Sequence, residues 1–96
     1  MRRSLGKHIG RGRVVVNGKP VGSISYWIDV WHDNPPHGRK GADGWAEGDF
    51  SVLQAAYDAG SASLELQYGN TVLFRITRLP MGGRAEIEVS GPVPGF

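Results

Sequence analysis

Apolar and polar residues alternate in four separate stretches of the chain. The apolar positions are Ile24, Tyr26, Ile28 and Val30; Leu64, Leu66 and Tyr68; Val72, Phe74 and Ile76; and Ala85, Ile87 and Val89. A period of two puts alternate side chains on opposite faces of a strand, so each stretch predicts a β-strand with one face turned to a core. The intervening residues include Ser23, Ser25, Asp29, Ser63, Glu65, Gln67, Arg75, Thr77, Glu86 and Glu88, the composition of a wet outer face. A further strand over Arg13 to Val16 is too short and too uniformly apolar for periodicity to orient it.

Turn chemistry supplies the orientation. A two-residue Gly69-Asn70 turn would set Gln67 against Val72 and Glu65 against Phe74, placing polar and charged groups on the apolar face. A three-residue loop, Gln67-Tyr68-Gly69, with Gly69 in the left-handed conformation, instead pairs Leu64 with Val72 and Ala62 with Phe74. The same geometry at Val16-Asn17-Gly18 puts Val14 on the face of Ile24 and Tyr26. Bulges increase twist, so two bulged hairpins in a short chain predict a mainly β fold. The expected architecture is a small antiparallel meander forming a strongly twisted sheet or barrel of about five to six strands.

One short helix is predicted at 51–59. Ser51 and Gln54 form a capping-box pattern, and Val52, Leu53, Ala55, Ala56, Tyr57 and Ala59 run to Gly60 as the C-terminal stop. Two turns do not persist alone, so the helix is expected to dock on the sheet or plug a barrel end. The stretch 33–44 holds Pro35, Pro36, Gly38, Gly41 and Gly44 without apolar periodicity and reads as a long exposed loop. After the last strand, Pro92 and Pro94 end regular structure, with Val93 or Phe96 expected to pack back.

Ninety-six residues, 40% of them hydrophobic, suit one domain, expected over 11–96. With no cysteine, disulfides and thiolate metal sites are excluded, and a cytoplasmic setting is expected. Met1-Arg2-Arg3-Ser4 has the charge of a signal n-region, but Leu5 and Ile9 stand alone where an apolar stretch would be needed. No apolar run approaches the roughly 20 residues of a spanning helix, so a soluble chain without membrane partners is expected.

The net charge of +2 is unevenly distributed. Arg2, Arg3, Lys7, Arg11, Arg13 and Lys19 precede the first acid, Asp29, and the remainder carries five basic and nine acidic residues. Residues 1–10 are therefore expected to form a flexible basic arm on a mildly acidic body.

His32, Asp33 and His37 have metal-ligand side chains, but Pro35 and Pro36 interrupt them and no strand or helix period aligns them. Asp43, Glu47 and Asp49 lack the loop pattern of a calcium site. There is no Gly-x-Ser-x-Gly elbow, no His-Glu-x-x-His helix and no phosphate loop. No catalytic residue, metal or cofactor is assigned, and an enzyme is not expected.

The aromatic residues are more informative. Trp27 and Trp31 lie on the strand face opposite Ile24, Tyr26, Ile28 and Val30, with Asp29 between them. An open face would offer two indoles to a protein partner or to unstacked bases, whereas a covered one would be core. Two functions follow. The first is a small non-enzymatic interaction or structural module, binding a protein partner or its own copy. The alternative is a nucleic-acid-binding small β-barrel, with Arg2, Arg3, Lys7, Arg11 and Arg13 on phosphates and Trp27 or Trp31 stacking a base.

Overall fold

The computed structural model describes residues 2–33, 38–80, 82–90 and 93. Six antiparallel strands and one helix follow in the order β1 (Arg2–Val16), β2 (Lys19–Asp33), β3 (Lys40–Glu47), α1 (Phe50–Ala59), β4 (Ala62–Glu65), β5 (Thr71–Arg78) and β6 (Arg84–Ser90). Spatially they run β1-β2-β3-β6-β5-β4, two three-stranded meanders joined edge to edge through β3 and β6. Three residue pairs return β4 to β1, namely Arg13 with Glu65, Val14 with Leu64 and Val15 with Ser63, and they close the ring.

The inner face is the one the alternation marks. Val14, Ile24, Tyr26, Ile28, Val30, Leu64, Leu66, Val72, Phe74, Ile76, Ala85, Ile87 and Val89 are all buried, and no buried side chain among the described residues is charged. The β4–β5 hairpin pairs Ala62 with Phe74 and Leu64 with Val72, and Gly69 at φ 92° carries the positive dihedral that its loop requires. The first hairpin reaches the expected face by another route. Asn17 and Gly18, at φ 51° and 80°, make a two-residue turn joining Val16 to Lys19, and the extra residue is Val21, between the pairs Val15–Pro20 and Val14–Gly22. Two positive φ angles twist a two-residue turn in the same sense as the strands it joins.

The helix starts one residue before the expected 51–59. Asp49, not Ser51, is the N-cap, and it makes no side-chain cap hydrogen bond; its carbonyl accepts from the Val52 and Leu53 amides. Gln54 donates instead to Asp58 one turn on. Val52, Leu53 and Ala56 join the core, so α1 docks on the sheet through one apolar side. At the C-terminus Gly60, at φ 82° and ψ −52°, leaves the helical conformation, and its amide donates to the Tyr57 carbonyl at 3.1 Å.

Two expectations are corrected. Residues 2–10 are not a flexible arm, because they form the first half of β1 and pair with β2 from Arg2–Asp33 onward. Their alternation is concealed by Gly6 and Gly10 at inward positions and by a bulge at Leu5, which lies between the pairs Ser4–Trp31 and Gly6–Val30. The loop is also shorter than 33–44. Asp33 ends β2, and Lys40 to Glu47 form β3, paired with both β2 and β6. Small residues conceal β3, since Ala42, Gly44 and Ala46 occupy its inward positions. Residues 1 and 34–37, and most of the expected tail (91, 92 and 94–96), lie outside the described residues, while Val93 packs against the core.

Candidate binding face

Strand parity places the indoles. Tyr26, Ile28 and Val30 point inward, so Trp27, Asp29 and Trp31 point out, and the β2–β3 register sets Trp27 beside Trp45 and Asp29 beside Asp43. The rings of Trp27 and Trp45 stack with centroids 5.9 Å apart and 22° between their planes. All three tryptophans are half-buried. Trp27 and Trp45 cover one another, and cations from β1 and β6 lie over all three rings.

Each indole carries one cation. The Arg2 guanidinium lies 3.8 Å from the Trp31 ring centroid, the Lys7 ammonium 4.9 Å from that of Trp27, and the Arg84 guanidinium 4.3 Å from that of Trp45. Contacts of this kind contribute about 0.5–1 kcal/mol each at exposed sites, enough to order a side chain without burying it. Each cation also faces a carboxylate: Arg2 with Asp43 at 3.9 Å, Lys7 with Asp29 at 4.0 Å and Arg84 with Glu47 at 3.9 Å. The Trp31 indole N–H donates to Asp43 at 3.3 Å, so Asp43 holds both the ring and the arginine above it. Gly41 lies opposite Trp31, and a Cβ there would stand 2.3 Å from the ring; its hydrogen side chain lets the indole lie flat across β3.

The face is recessed on both sides. A groove of about 590 Å³ beside Trp45 is lined by Thr77, Arg78, Pro80, Arg84 and Glu86, and one of about 490 Å³ beside Trp31 by Arg39, Lys40, Glu88 and Ser90.

The expected binding residues divide. Arg2, Lys7, Trp27 and Trp31 come together on this face. Arg13 faces outward too, but lower on β1, where its guanidinium makes a forked contact with Glu65, Nε to Oε1 at 2.8 Å and Nη2 to Oε2 at 3.1 Å. Arg11 lies between these groups and its side chain has no ion pair among the described residues. Arg3 pairs with His32 in register and so belongs to the opposite face. The cluster also needs Trp45, Asp43, Gly41 and Arg84, which sequence reasoning did not assign to it; the missing signal was β3 itself, because Trp45 joins Trp27 once Lys40–Glu47 is a strand.

As to metals, the His32 Nε2 atom lies 2.9 Å from the Gly38 carbonyl, and His37 is outside the described residues. Among the described residues no three His, Asp or Glu side chains are grouped to hold a metal ion. Among the described residues no helix is long and apolar enough to cross a membrane. Set against known protein families, curated proteins and solved structures, the chain matches none of them.

Proposed function

We propose that the chain is a non-enzymatic interaction module that docks a protein partner on the outer face of β2, β3 and β6, around Trp27, Trp31 and Trp45. The observation that carries this reading is the pre-ordered indole cluster, with Trp27 stacked on Trp45 and Trp31 held between Gly41 and Arg2. Binding usually costs side-chain entropy, and rings already held by stacking and cation contacts lose little of it. Tryptophan and arginine in a half-buried patch are the residue types that dominate measured protein interfaces.

Charge favours a protein over a nucleic acid. On this face Arg2, Lys7, Arg84 and, from β5, Arg75 and Arg78 stand among Asp29, Asp43, Glu47, Glu86 and Glu88, five cations to five carboxylates, so the face offers phosphates no excess of positive charge. Phosphate binding draws its strength from cations free to displace counterions, and Arg2, Lys7, Arg75 and Arg84 already face acids. The test is to capture a partner from cell extract and then measure its direct binding to wild-type protein and to Trp31→Ser. At least a tenfold loss, roughly 1.4 kcal/mol or more, with an unchanged circular dichroism spectrum is expected. Unchanged affinity overturns the reading. Salt-steep oligonucleotide binding that quenches tryptophan emission would transfer the face to nucleic acid.

A further inference from the structure

β1 is fifteen residues long, and β4 pairs with it over three residues, Arg13 to Val15. Among the described residues no strand lies on the side of Arg2–Gly12 away from β2. The Arg11 amide points to that side, because it donates to the Gln67 side chain at 3.3 Å. Backbone groups in an antiparallel strand alternate sides, so Ile9 and Lys7 present their N–H and C=O groups along the same open edge. Such an edge is a template for another strand.

The side chains beside it restrict what can join. Lys7, Ile9 and Arg11 stand in a row on the outer face; Ile9 is 56% exposed, and the Lys7 side chain is 48% exposed beside Asp29. A second copy paired antiparallel about Ile9 would set Lys7 across from Arg11 twice, and like charges directly opposite destabilise a pairing. A strand with acids on either side of an apolar residue instead sets one acid across from Arg11, whose side chain has no ion pair among the described residues, an apolar residue across from Ile9, and a second acid beside Lys7, which then shares its charge with Asp29.

We propose that the edge of β1 over Lys7–Arg11, open at Lys7 and Ile9 and covered at Arg11 by the Gln67 side chain that an incoming strand displaces, binds an extended acidic segment of a partner protein by strand addition. That segment presents acid, apolar and acid at alternate positions toward Lys7, Ile9 and Arg11. The inference rests on the protein-binding reading but not on the tryptophan face, and it assigns that class of partner a second contact in the same sheet.

The probe is a short synthetic peptide, Thr-Glu-Thr-Val-Thr-Glu-Thr, titrated to millimolar excess into the ¹⁵N-labelled chain. Saturable shifts centred on the Lys7, Ile9 and Arg11 amides are expected. They should be lost with a peptide carrying Lys for Glu, and they should weaken at least fivefold in Arg11→Glu. Ile9→Pro removes an edge N–H that β2 does not use, and proline is tolerated at such positions, so this variant should keep the fold and lose the peptide. Trp31→Ser should bind the peptide as the wild type does, which separates failure of this site from failure of the tryptophan face. No shift at these amides, an equal response to the lysine peptide, or full binding by folded Ile9→Pro overturns the proposal.

Discussion

Replacing Gly44 with alanine tests the geometry that brings the tryptophans together. Gly44 lies opposite Ile28 in the β2–β3 ladder, and a Cβ there would stand 1.8 Å from the Trp27 carbonyl oxygen and 3.1 Å from the Ile28 Cα. Real Cβ contacts essentially never fall below 3.0 Å, so the contact with the Trp27 carbonyl must open by 3.0 minus 1.8, or 1.2 Å. Both obstructing atoms are backbone, so no rotamer change relieves the clash. Overpacking of this kind costs about 1–3 kcal/mol, and stretching an adjacent ladder bond past hydrogen-bonding distance adds about 1 kcal/mol. At the ~4–8 °C per kcal/mol of a domain this size, the melting temperature should fall by roughly 10–25 °C. Because Trp45 and Trp27 flank this contact, the near-ultraviolet circular dichroism of the stacked indoles should weaken as well. Gly60→Ala is the control: its φ is 82° and ψ −52° with no atom within 4 Å of the new Cβ, so it bears the backbone penalty alone, about 1–3 kcal/mol, and leaves the indoles untouched. If Gly44→Ala melts with Gly60→Ala and keeps the indole signal, the close contact is not what limits the residue to glycine.

Gly69→Val should destabilise the domain by about 1–2 kcal/mol in urea unfolding, since a β-branched residue resists φ 92°; an unchanged midpoint would refute the bulged loop. A double-mutant cycle on Arg13 and Glu65 should return a coupling below about 1 kcal/mol that disappears in molar salt, because the side chains are 58% and 33% exposed. A salt-insensitive coupling of several kcal/mol would mean that this pair, rather than the backbone ladder and core around Val14 and Leu64, closes the ring.

Alternation revealed strands wherever inward positions carry large apolar side chains. Ile24 to Val30 and Val72 to Ile76 show their faces directly, and Gly69 was legible because one hairpin register alone put the apolar residues of both its strands on one face. Where the core is lined by small residues the pattern vanishes. β3 turns Ala42, Gly44 and Ala46 inward, and the first half of β1 turns Gly6, His8 and Gly10 inward, so neither segment shows an apolar period of two. The glycines are a consequence of packing: a Cβ on Gly10 would meet the Tyr26 hydroxyl at 2.9 Å, and that hydroxyl accepts a hydrogen bond from the Gln67 amide at 3.0 Å. A large residue on one strand required a hydrogen on its neighbour, which a count of apolar positions cannot register. The candidate face was half legible for the same reason, since Trp27 and Trp31 belong to a recognisable strand and Trp45 to a concealed one.

The bulge at Leu5 connects the N-terminal charge to the aromatic face. Without an extra residue there, strand parity would place Arg2 and Lys7 on opposite sides of β1. With it, Arg2, Ser4, Lys7, Ile9, Arg11 and Arg13 all face outward, and the first two cations reach two successive outward indoles of β2. The basic N-terminus is thus largely consumed within the fold: Arg2, Lys7 and Arg13 each face a carboxylate, and Arg3 is turned to the other side. A protein that tracked phosphates would leave these cations in a free, contiguous row. Here the contiguous feature is the aromatic one, and the charges beside it fix the rings in place; that division of roles is the strongest physical reason to seek a protein partner first.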